Sequence, residues 1–139
     1  MRLRALIGIA VVAAVLAVVG GANGAASKQA FKATLTAATH SPKVNSTWKY
    51  SVRVTDLTGH PIWARITSQI VDPLGTTHPV EFDGTGRNPY VKNYRFFGNF
   101  CDSAIWPSSS AVGVTLTFQT VITTAKGRAV LRFAVTPRQ

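Results

Sequence analysis

From Phe31 onward, apolar and polar residues take turns along the chain with a period of two. That period marks a half-buried strand, because successive side chains leave opposite faces of a pleated backbone. Trp48, Tyr50, Val52 and Val54 alternate with Lys49, Ser51, Arg53 and Thr55, and Ile62, Ala64, Ile66, Ser68 and Ile70 alternate with Trp63, Arg65, Thr67 and Gln69. Between these two predicted strands lies Asp56-Leu57-Thr58-Gly59-His60-Pro61, a turn whose glycine can adopt positive φ. The pair is therefore either an antiparallel hairpin or a corner between two sheets.

The same pattern predicts an opening strand from Phe31 to Ala37 that ends at Ser41-Pro42. Near the end of the chain, Val112, Val114, Leu116 and Phe118 lead through Val121 and Ile122 to a turn at Ala125-Lys126-Gly127-Arg128. Leu131, Phe133 and Val135 then return with Arg132 and Ala134 on the other face, which closes a hairpin. The middle predicts a short strand around Val80 to Phe82, a turn at Asp83-Gly84-Thr85-Gly86 and an aromatic segment from Tyr90 to Phe97. No window after Ser27 has helical spacing. About seven short strands with frequent turns predict an all-β fold, an antiparallel two-sheet sandwich.

The first 26 residues depart from this pattern. Met1-Arg2-Leu3-Arg4 precedes an apolar run from Ala5 to Val19 and then Gly20-Gly21-Ala22-Asn23-Gly24-Ala25-Ala26. Basic, apolar and small-residue segments in that order predict a secretory signal helix, with Gly24 and Ala26 placed for a cut before Ser27. The expected organisation is a signal peptide over 1–26 and one β domain over 27–139, acting in an extracytoplasmic or secreted location. The alternative is an uncleaved anchor that tethers the domain to a membrane, since Ala5 to Ala22 spans 18 residues and a membrane helix needs about 20. No second apolar stretch follows, so no membrane span is expected after cleavage.

Charge changes the picture next. The segment after residue 26 keeps 13 of the 15 basic residues against five acidic ones, a formal net charge of +8. Such a bias favours anionic surfaces: lipid headgroups, phosphate-rich wall polymers or extracellular nucleic acid. The bases are scattered, with no run of four, and no specific nucleic-acid motif occurs. Cys101 is the only cysteine, so no internal disulfide can form. Phe100, Ile105 and Trp106 around it predict a buried thiol, with pairing between molecules as the alternative.

The stretch His40-Ser41-Pro42-Lys43-Val44-Asn45 followed by Trp48 to Ile66 resembles the second and third strands of exported bacterial immunoglobulin-like domains, including the YtkA-like group. The shared features are a Ser-Pro entry, an alternating strand, an Asp-x-x-Gly-x-Pro turn and a small residue in the third strand. The resemblance implies an immunoglobulin-like sandwich with an adhesive, spacing or assembly role in a cell envelope and without chemistry. The inter-sheet disulfide of antibody domains is absent, because one cysteine cannot make it.

Candidate chemistry is sparse. His40, His60 and His78 each lie in a turn close to proline and could converge on a zinc or copper ion. A blue-copper site is excluded, since no histidine follows Cys101 and the only methionine is Met1. Glu81 and Asp83 stand two apart, as paired carboxylates on a strand would, but Asp83 opens an Asp-Gly turn and is expected to cap it. Ser108-Ser109-Ser110 lacks a nucleophile elbow. Asn45-Ser46-Thr47 fits the glycosylation pattern of a eukaryotic export route. These residues predict no catalytic set, no metal site and no cofactor. Binding is the better expectation. Arg87 to Phe97 interleaves basic and aromatic residues, and Trp63 is expected to point outward beside Arg65, which nominates Trp63, Arg65, Tyr90, Lys92, Tyr94 and Arg95 as a binding face; the alternative is a core strand with Tyr94 and Phe96 inward and Lys92, Asn93 and Arg95 solvating it. The expected partners are an envelope protein, a wall polysaccharide or another anionic surface. The expected role is an interaction or structural module, with a small carbohydrate- or polyanion-binding domain as the alternative.

Overall fold

A computed structural model of the chain describes residues 29–81 and 90–139. The proposed signal segment over 1–26, Phe82, the Asp83 turn and Arg87 lie outside the described residues. Among those described, eight antiparallel strands and no helix are present: β1 (Lys32–Ala37), β2 (Thr47–Thr55), β3 (Trp63–Val71), β4 (Thr77–Pro79), β5 (Tyr94–Phe97), β6 (Asn99–Ile105), β7 (Leu116–Thr124) and β8 (Gly127–Val135). One sheet has the order β1-β2-β6 and the other β4-β3-β7-β8, with β5 pairing β3 beside its Trp63 end and β4 beside its Val71 end.

The two sheets meet in a sandwich-like arrangement because the period-two pattern gives each an apolar side. Trp48, Tyr50, Val52 and Val54 of β2 and Phe118, Ile122, Phe133 and Val135 of β7 and β8 join one buried cluster. Trp48 is its centre. The ring packs edge-on against Phe118 at 4.9 Å and Trp106 at 5.7 Å, and its Nε1–H donates to Thr39 O at 2.7 Å. An aromatic ring so placed excludes a large apolar area from water while its one polar atom stays satisfied. Tyr50 follows the same logic. Its hydroxyl donates to Asp102 Oδ2 at 2.8 Å with Ser68 Oγ 3.2 Å away, and burial pushes the phenol far above its ordinary pKa.

The passage between β2 and β3 is a corner, not a hairpin: β2 belongs to the small sheet and β3 to the large one. Asp56 builds the corner. Its Oδ1 accepts from Thr58 N at 2.9 Å, Thr58 Oγ1 at 2.7 Å and His60 N at 2.9 Å, and Gly59 takes φ +97. The same device recurs at the other end of β3, where Asp72 Oδ1 accepts from Leu74 N and Thr76 N, both at 2.9 Å, and Gly75 takes φ +85. In both turns the aspartate closes the loop by satisfying amides that no strand partner reaches.

Gly98 makes the second crossing. It separates β5 of the large sheet from β6 of the small one, donating its N–H to Ile62 O at 3.0 Å and accepting from Val54 N at 2.7 Å. Its φ is +68, and a Cβ there would stand 2.6 Å from Pro61 Cβ. Both conformation and space therefore require glycine.

Three expectations need correction. Cys101 is exposed, because β6 is itself a strand in which Phe100 takes the inward position and Cys101 pairs with outward Ser51. Val112 and Val114 lie in an exposed loop; Gly113 has φ +78 and bonds Pro137 O at 2.8 Å, so β7 begins only at Leu116. The short middle strand lies earlier than expected, at Thr77–Pro79, with Glu81 making a single bridge to Tyr90.

Candidate binding face

Register decides which side chains share the outer face of the large sheet. Trp63 stands opposite Phe97 and Arg65 opposite Arg95, while across β7 and β8 Arg65 faces Thr123 and Thr123 faces Arg128. Arg132 stands opposite Gln119 on the same face. Strands lie about 4.8 Å apart, so Arg95, Arg65 and Arg128 form one row across the sheet. All four arginines are exposed. Trp63 and Phe97 are 54% and 51% exposed and stand side by side on this face. Among the described residues, no strand position of this face carries a carboxylate.

Two of the arginines are held by neighbours. The Arg95 guanidinium carbon lies 4.0 Å from the Trp63 ring centroid, a cation–π distance, and the Trp63 and Phe97 rings are 5.3 Å apart. Arg65 Nη1 donates to Asn93 O at 3.1 Å. Asn93 can aim that carbonyl because it takes φ +53, a left-handed conformation that asparagine tolerates, and its N–H donates to Thr67 Oγ1 at 3.0 Å.

Of the residues nominated from sequence, Trp63, Arg65 and Arg95 come together. Tyr94 does not join them. It pairs with buried Ile66, so it shares the inner side of β5 with Phe96, and its ring lies 5.5 Å from Phe100. Tyr90 and Lys92 are exposed but flank buried Val91, beyond the end of β5. Phe97, Arg128 and Arg132 complete the face instead. The alternation had placed Arg132 outward, whereas Arg128, expected in the turn, lies in β8, which begins at Gly127; their neighbourhood came only with strand order.

Comparison with family models, curated proteins and solved structures finds no match.

The histidines are dispersed. His60 Nδ1 lies 2.8 Å from Thr58 Oγ1 and 3.5 Å from Asp56 Oδ2 in the corner turn, and His78 Nε2 meets Asp72 Oδ2 at 3.1 Å at the far end of β3. His40 stacks on Phe133 at 3.9 Å and donates from Nδ1 to Ala134 O at 2.6 Å. A carbonyl only accepts, so Nδ1 carries the proton. Among the described residues no three metal-ligating side chains come together. The Thr58 hydroxyl holds Asp56 down to a pKa of about 2, helped by the amides of His60 and Thr58. The His78 bond, with the amides of Thr76 and Leu74, lowers Asp72 likewise.

The small sheet presents a different outer face. Thr36, Lys49, Ser51, Cys101 and Ser103 border an open hollow of about 580 Å³. Thr36 Oγ1 and Ser51 Oγ are 2.7 Å apart, so these hydroxyls satisfy each other.

Proposed function

We propose that this chain is an exported, non-catalytic immunoglobulin-like module of a cell envelope that docks onto an anionic polymer through the outer face of its large sheet. The signal-like order of residues 1–26 supports export, and the antiparallel two-sheet architecture supports the fold. One observation carries the docking role: four arginines and an exposed Trp63–Phe97 pair share a sheet face whose strand positions hold no carboxylate. Uncompensated like charge on a flat face costs stability unless a partner neutralises it. The non-catalytic reading is supported by the sequence, where Ser108-Ser109-Ser110 lacks a nucleophile elbow and no motif places a histidine and carboxylate pair.

Sugar stacking, the other use of an outward tryptophan, is the weaker reading, because Arg95 lies over the Trp63 ring that a sugar would need. The test is retention of the purified protein on an anionic polymer, such as poly(glycerol phosphate), against a neutral glucan. Retention on the anionic matrix that falls steeply between about 50 and 300 mM salt is the expected outcome. Equal retention on the neutral glucan at high salt overturns it in favour of stacking.

A further inference from the structure

β8 is the outermost strand of the large sheet, and among the described residues no strand pairs with its far side. Which backbone groups face that side is set by the seam at its end. Ala134 O accepts from His40 Nδ1 at 2.6 Å and Thr136 N donates to His40 O at 2.7 Å, so these two residues turn their backbone groups away from β7. The register with β7 runs unbroken along the whole of β8, which carries the same phase back through Arg132, Val130 and Arg128. The chain around His40 covers only the Ala134 end of this row. β1 approaches from the other sheet but pairs β2 alone.

An open strand edge is a row of donors and acceptors at strand pitch, and an extended backbone is the ligand that satisfies such a row. Side chains on the same residues set its kind. Arg128 and Arg132 are exposed, flank half-buried Val130, and have no ion-pair partner among the described residues. We propose that this edge binds an extended segment of a partner protein, added as an antiparallel strand with acidic residues opposite Arg128 and Arg132 and an apolar residue opposite Val130. Side chains directly opposite in such a pair stand about 4.5 to 5.5 Å apart on one face, so carboxylates at that spacing meet both guanidiniums. A second copy of this chain is a poor occupant. Pairing two β8 edges about Val130 sets Arg128 against Arg132 of the other copy, and like charges oppose strand addition. The inference goes beyond the polyanion reading and stands without it, because it needs backbone groups at a sheet edge that a polymer without amides leaves unmet.

The experiment titrates the peptide acetyl-Thr-Glu-Thr-Val-Thr-Glu-Thr-amide into the purified, isotope-labelled protein, followed by NMR. The amide signals of Arg128, Val130 and Arg132 are expected to shift together, and to exchange with deuterium at least about threefold more slowly when peptide is bound. The same peptide methylated on its central valine nitrogen keeps its charge but lacks the N–H that meets Val130 O. It is expected to bind at least about tenfold more weakly. Val130→Pro removes the outward N–H at the middle of the edge while sparing the bonds to β7, and is expected to have the same effect, with its fold checked by the urea midpoint. Arg128→Glu with Arg132→Glu is expected to weaken the acidic peptide at least about fivefold and to take up its lysine counterpart instead.

Failure to bind the peptide overturns the proposal. So does equal binding of the methylated peptide, which reduces the contact to charge, and so do amide shifts centred on Arg65 and Arg95, which place the peptide on the outer face. Unchanged binding of the acidic peptide by the Arg128→Glu/Arg132→Glu protein overturns the acidic partner. If Val130→Pro does not fold, the methylated peptide decides. Loss of retention on poly(glycerol phosphate) with the peptide result intact strikes the polyanion reading alone.

Discussion

The two outer faces of this protein are both basic, yet they are built differently. On the small sheet Lys32, Lys49 and Arg53 stand among Thr34, Thr36, Ser51, Asn99 and Ser103, hydroxyl- and amide-rich neighbours that solvate a strand without organising its charges. On the large sheet the cations are all arginines, and two of them are held by an aromatic ring and a backbone carbonyl. Charge count alone, three cations against four, would barely separate the faces. What separates them is preorganisation: a lysine on a mobile stem is a solvated point charge, whereas a supported guanidinium presents a fixed fork. Net charge therefore names a class of partner, while side-chain support names the place where it docks.

The strongest way to break the comparison is to remove what both faces stand on. Trp48→Ala empties the centre of the shared core and should lower unfolding free energy by about 3 to 5 kcal/mol, measured by urea denaturation, because a buried ring is replaced by a cavity. Binding would disappear with the fold. Gly98→Ala is aimed at the crossing between the sheets. The approach of a Cβ to 2.6 Å from Pro61 and the φ of +68 should together cost roughly 1 to 3 kcal/mol. A midpoint equal to that of the native protein would show that the crossing relaxes freely.

A face-by-face contrast comes next. Arg65→Gln with Arg95→Gln should weaken polyanion binding at least about tenfold, while Lys49→Gln with Arg53→Gln on the other face should change it less than about twofold, by calorimetry. Comparable losses from both pairs would mean that bulk charge, not support, decides binding.

Acid sharpens the picture of the turns that position β3. Asp56 and Asp72 hold their protons less tightly folded than unfolded, so their contribution is fully present above the ordinary carboxylate pKa of about 4. It fades as pH falls through the lowered values, toward about 2 for Asp56. Thermal midpoints should therefore drop between about pH 4 and pH 2, and Asp56→Asn should flatten part of that slope. The smallest effect is expected at Cys101. Cys101→Ser should stay within about 0.5 kcal/mol of the native stability, and the native thiol should react readily with a soluble disulfide reagent, as its exposed position requires.

Much of the fold was legible one strand at a time. Alternation in β2 and β3 placed Trp48, Tyr50, Ala64 and Ile66 inside and Trp63 and Arg65 outside, because a pleated strand fixes direction residue by residue. It failed where a local environment was taken for direction. Cys101 lies beside apolar residues in sequence, but Phe100 takes the inward place and sends the next side chain out. It failed also at Val112 and Val114, where Gly113 breaks the strand before the alternation ends.

By itself, then, the sequence determined that the described residues are all-β and turned at Asp56 and Gly59, and that the chain is basic and without a possible internal disulfide; these depend on neighbours along the chain. Tertiary structure alone decided that β2 and β3 part at a corner, that Gly98 carries the chain from one sheet to the other, and that Arg65 meets Arg95. Those outcomes depend on which strands lie side by side. Strand pairing is set by closing one core from distant segments, and no period along the chain encodes it.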